Sequence, residues 1–142
     1  MTQLSKHFTL HEFVRSATAD AQGIDNTPPA IVVANLSNLV LNVIQPARDA
    51  LQRPIFINSG YRCPKLNTEV GGVNSSHHKR GWACDACLTP LEESIFLYNW
   101  IKDNCSYDQL IGEGGTAKQP AWVHVSYKSP EHNRNQHFWL PG

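Results

Sequence analysis

The stretch WACDACLTPLEESIFLYNWIKDN, residues 82–104, decides how the chain folds. Residues 82–88 are small or apolar around one charge, Asp85, which fits a short strand. Then comes Thr89, with Pro90 next and Glu92 three residues on. That is a capping box with proline in the first turn, so a helix is expected through residue 104. Working outward, QLIGE (109–113) and WVHVSY (122–127) read as strands around a glycine-containing loop. Upstream, PIFINSGYR (54–62) is a strand entering a turn at Ser59-Gly60.

The first half of the chain is helical in pattern. In AIVVANLSNLVLNVIQPARDAL (30–51), Val32, Leu36, Leu39, Val40 and Val43 form one apolar stripe. Thr27 before Pro28 and Pro29 is the expected start of this helix, and Pro46 its expected kink or end. Thr9 with Glu12 gives a short capped helix in FTLHEFVRS (8–16), and residues 16–29 read as an irregular connection. Helices followed by strands with one helix among them predict an α+β fold: a small, largely antiparallel sheet flanked by helices. We expect a single domain over residues 1–142.

Composition excludes little and implies something. Hydrophobic residues make up 41% and charged residues 17%, and 12 basic residues balance 12 acidic ones. A neutral chain carries no electrostatic footprint for nucleic acid or an anionic membrane surface. No segment reads as the roughly 18 apolar residues of a membrane span. The start, MTQLSKHFTLHEF, lacks a signal-peptide core. We therefore expect synthesis in a cytoplasm without a Sec signal, no membrane insertion, no nucleic-acid partner and a monomer. Cys63, Cys84, Cys87 and Cys105 are expected as free thiols. One CxxC, Cys84 and Cys87, is a weak metal signal, and small buried thiols on a strand explain it as well.

The chemistry concentrates in SSHHKRGWACDA (75–86) and WVHVSY. His78 lies where a turn at Gly81 enters the strand that carries Asp85. His124 alternates with Val123 and Val125, so it faces a cleft if the valines face the core. Two imidazoles and a carboxylate suit zinc, and three protein ligands leave a position open for water, the mark of a catalytic site. His77 points elsewhere than its neighbour His78 on any such backbone.

SGYRCPKLN (59–67), SSHHKRGWACDA and WVHVSY, in this order, resemble the zinc D-alanyl-D-alanine carboxypeptidase family, the M15 peptidases, and most closely a compact branch common in phage genomes. The likeness extends to FTLHEFVRS and to the helix at 30–51. It implies Zn²⁺ on His78, Asp85 and His124, and hydrolysis of bacterial wall peptides beside D-amino acids. Among the acids between Asp85 and His124, Glu113 is the expected general base, since it closes a strand beside glycines and the branch carries a glutamate after a similar strand. Asp108 is the reserve. Some relatives place the catalytic acid three residues before the last histidine ligand, where this chain has Ala121. Arg62 follows the Ser59-Gly60 turn, and its fork suits a substrate carboxylate or a developing oxyanion. An arginine that pins the loop through backbone carbonyls explains it equally well. Ser76 and Trp122 are expected beside the substrate. The substrate implied is a peptidoglycan peptide, met at the cell wall or periplasm by a phage endolysin or tail-associated hydrolase.

Three rivals remain on the sequence. One is a bacterial D-Ala-D-Ala carboxypeptidase or dipeptidase. Another is a zinc-bearing module that binds wall peptide without cutting it. The third is a closed structural site in which Cys84 and Cys87 join His78.

Overall fold

The computed structural model describes residues 2–116 and 119–140. Helices α1 (Leu10–Val14), α2 (Ala17–Gln22), α3 (Ala30–Leu39) and α4 (Gln45–Leu51) come first. Strand β1 (Phe56–Ser59), helix α5 (Pro64–Glu69), β2 (Ala83–Cys87), α6 (Ser94–Asn104), β3 (Gln109–Glu113), β4 (Trp122–Ser126) and β5 (Gln136–Leu140) follow. The strands form one sheet in the order β1-β2-β4-β3-β5. Every pairing is antiparallel except β3 with β5. The α+β architecture is the one expected.

The stripe on α3 and its continuation is core: Leu36, Leu39, Val40 and Val43 are fully buried and Val32 nearly so. With α6, which buries Leu97 and Ile101, this helix packs into the core that Cys84, Ala86, Val123 and Val125 line from the sheet. Among the described residues, Ala30–Leu51 is the one helix long and apolar enough to cross a membrane. That corrects the expectation that no segment has this character. Its apolar face is spent on the core.

Several local expectations change. Residues 17–22 are helical, not irregular, because Ser16 Oγ accepts the Ala19 N–H as an N-cap. Helix α3 starts at Ala30 rather than at Thr27, whose N–H and hydroxyl are both held by Asp25. Pro46 does not end the helix. Residues Val40–Ile44 widen into a π turn, and α4 resumes with the proline in its first turn. Proline has no N–H to give, and the wider turn just before it absorbs the mismatch. The predicted capping box at Thr89 is absent. Leu91–Glu93 form a 3₁₀ turn before α6, Glu93 pairs with Arg53 at 2.9 Å, and Ser94 Oγ accepts the Leu88 N–H. Residues 136–140, to which the sequence assigned no element, form strand β5, whose Trp139 ring meets Tyr98 edge-on at 5.0 Å.

Candidate metal centre and cleft

The cross-strand register brings the site together. Asp85 on β2 lies directly opposite His124 on β4, and Glu113 on β3 opposite Trp122 on β4. Opposed residues of adjacent strands share a face, so this pairing alone sets Asp85, His124, Trp122 and Glu113 on one side. Val123 and Val125 point to the core, as the alternation required.

His78 arrives by a different route. It sits on a 3₁₀ turn, His77–Arg80, capped by Ser76 Oγ, which accepts the His78 N–H at 3.2 Å. Gly81 ends the turn in the left-handed region at φ 73°, and a Cβ there would press on Val32 of α3. Glycine meets both demands. The His78 ring is buried and donates Nδ1–H to the Gly60 carbonyl at 2.7 Å. A carbonyl only accepts, so the proton is on Nδ1 and Nε2 keeps its lone pair for the site. Gly60 is itself held close: a Cβ at this position would run into the backbone of Phe13, whose carbonyl accepts the Tyr61 N–H.

His78 Nε2 lies 3.4 Å and His124 Nδ1 3.0 Å from the same Asp85 oxygen. The potential ligand atoms of the three residues all lie within 4.8 Å of one another. Burial works to raise the Asp85 carboxyl, but the hydrogen bond from His124 and the close approach of the His78 imidazole outweigh it and hold it well below the usual carboxylate range. Two imidazoles and an ionised carboxylate on one small volume are a donor set that fits zinc. Among the described residues no other group of this kind is found. Cys84 lies on the core face, and the Cys87 thiol points at Asn58 Oδ1 at 3.6 Å, so the closed CxxC site is not formed.

A cleft of about 290 Å³ opens over these residues, walled by Arg62, Ser76, Ile111, Glu113 and Trp122. Trp122 is a half-exposed wall rather than core, and its indole donates to Glu113 Oε2. Arg62 reaches Ser76 Oγ at 3.4 Å, while its Nε is buried without a partner. Burial lowers the Arg62 guanidinium, against the pull of Asp85 and Glu113. Arg62 is thus not a loop pin through its side chain: its backbone N–H, not its fork, bonds the His78 carbonyl.

Asp108, the reserve base, cannot meet a substrate. Its side chain is fully buried and takes Arg134 Nε at 2.9 Å and Nη2 at 2.7 Å. His77 turns away from the triad toward Trp82 and lies 3.8 Å from Asp108. His7 bonds Gln45, His132 bonds Ser129 and His137 meets the Tyr107 hydroxyl. Sequence reading missed Ile111, which faces His124 across β3 and β4. Strand parity was the available signal. It also passed over Lys128 and Arg134, which line the space beside His124.

The Peptidase M15 family model matches residues 6–126, a span that holds His78, Asp85, Glu113 and His124. No curated protein matches the chain.

Proposed function

The chain belongs to the Peptidase M15 family, a family of zinc-dependent metallopeptidases, and on that premise we propose that it cleaves peptidoglycan stem peptides next to D-amino acids. His78, Asp85 and His124 would hold the zinc ion. The observation that carries the reading is the convergence of these three side chains on the floor of a cleft that also presents Arg62 and Glu113. Zinc supplies Lewis acidity there, polarising a peptide carbonyl and making water acidic enough to attack near neutral pH.

The remaining chemistry belongs to the chain's own groups. Glu113 takes the proton of the attacking water and hands it to the leaving amine. Trp122 fixes which carboxylate oxygen does so. Arg62 sets its guanidinium beside the scissile carbonyl, where negative charge grows in the transition state. Its unpartnered Nε is a donor waiting for an acceptor. Ser76 braces both His78 and Arg62. On this reading the domain spans residues 1–142 and works at the cell wall or periplasm as a phage endolysin or tail-associated hydrolase.

The test is to digest purified peptidoglycan with and without a chelator and identify new termini by mass spectrometry. New termini that vanish with chelator, and with Glu113→Ala at full zinc content, support the proposal. Termini at terminal D-Ala would mark a carboxypeptidase, and internal ones an endopeptidase. Intact wall peptides with zinc-loaded protein overturn it.

A further inference from the structure

The cleft does not stop at His124. A cavity of about 440 Å³ continues from it, sharing Val73, Ser76 and His124 and adding His77, Lys128 and Arg134. Among the described residues, no carboxylate lines it. The acid that the cavity's cations meet, Asp108, has a fully buried side chain and is already engaged: Arg134 donates to it three times, from its backbone N–H, Nε and Nη2. Lys128 Nζ stands farther off, 3.7 Å from Asp108 and 5.2 Å from the centre of the Trp82 ring. Two cations against one carboxylate leave one positive charge, and the Arg134 fork is spent. Among the described residues that line it, Lys128 is the cation left facing the cavity. Beyond it lies a second cavity of about 510 Å³, lined also by Lys79 and Arg80 and, among the described residues, again by no acid.

The polarity of the groove follows from β4. Trp122 and its partner Glu113 lie on one side of His124, and Lys128 lies past the other end of the strand. We infer that the cavity beside His124 is a carboxylate subsite, in which Lys128 pairs with an acidic group of the peptide on the side of the scissile bond away from Glu113. Lys128 lies four positions along the chain from His124, two past the end of β4, a distance of up to about 13 Å at the usual rise. The lysine side chain reaches back part of that distance, so the carboxylate lies roughly two to three residues from the bond. The inference rests on the peptidase reading for the peptide nature of the ligand.

The experiment uses a synthetic stem peptide with free carboxylates and the same peptide with those carboxylates amidated. Binding to the zinc-loaded full chain carrying Glu113→Gln is followed by tryptophan fluorescence, Trp82 lying against Lys128. The acid form should bind on the order of tenfold tighter, the scale of one charge-assisted hydrogen bond. Lys128→Met should reduce acid binding to the level of the amide, and Lys128→Arg should keep the preference. Should Lys128→Met not fold, raising salt from ~0.05 M to ~0.5 M on the parent protein should collapse the preference. Equal binding of the two peptides overturns the subsite, and so does a preference that survives Lys128→Met. Hydrolysis by the unmodified chain is scored separately. A binding preference without cleavage supports the subsite and rejects only the hydrolytic reading.

Discussion

Trp122 donates its indole N–H to Glu113 Oε2 at 3.0 Å across β3 and β4, and the same strand β4 brings His124 to Asp85 on its other neighbour, β2. The candidate base is therefore fixed by the sheet and not by its own loop. Trp122→Phe keeps the ring and deletes the donor. Turnover should fall on the order of tenfold, the kinetic scale of one charge-assisted hydrogen bond, while zinc content and substrate KM stay close to the parent. Steady-state kinetics with metal analysis decides it. A variant with unchanged kcat would detach Glu113 from the chemistry or Trp122 from Glu113.

The CxxC pair should be dispensable for metal. Cys84 is packed into the core and Cys87 faces Asn58. Cys84→Ala and Cys87→Ala should each retain one zinc per chain by elemental analysis. The cost is confined to packing, about 1 kcal/mol each in denaturant titration. Burial also pushes the Cys84 thiol well up and the Cys105 thiol up to about 11, so both should resist thiol reagents at neutral pH.

The sites were legible in the sequence where backbone period alone fixes direction. Val123 and Val125 facing the core decide His124, and the Ser76-to-Gly81 turn decides His78. What stayed hidden depends on partners far along the chain. Asp108 reads as a free acid until Arg134 is seen across the fold, 26 residues on. Pro46 reads as a helix end until the π turn before it is seen. Strand β5 has no turn signal of its own and exists because β3 offers it an edge.

Asp108 should govern acid stability. Burial acts to raise its carboxyl, but hydrogen bonds and charge from Arg134, with help from Lys128, hold it below the ordinary value of 3.8. A carboxyl lower in the folded than in the unfolded state stabilises fully above the unfolded value. That contribution fades as pH falls through the folded value. Asp108→Asn should therefore cost about 2 kcal/mol at pH 7 and progressively less below pH ~4, read from urea unfolding at both pH values. A gap that does not narrow in acid would remove the ion pair as its cause.

Zinc affinity should depend on a glycine that never touches the metal. The Gly60 carbonyl takes the Nδ1–H of His78 at 2.7 Å and thereby presents Nε2 to Asp85 and His124. That carbonyl is where it is because residue 60 has no Cβ. A methyl there would overlap the Phe13 carbonyl, which is tied to the Tyr61 N–H. Gly60→Ala must push β1 from α1 or turn the carbonyl away from the imidazole. Loss of an outer partner to a histidine ligand typically weakens metal binding about 10- to 100-fold. Competition with a calibrated chelator measures this, and circular dichroism separates it from unfolding. The same substitution at Gly23, which ends α2 at φ 64° with open space around its Cβ position, should lower stability through backbone strain yet leave zinc affinity alone. Equal zinc affinity in the Gly60→Ala and parent proteins would mean that the His78 tautomer is set by something other than this contact.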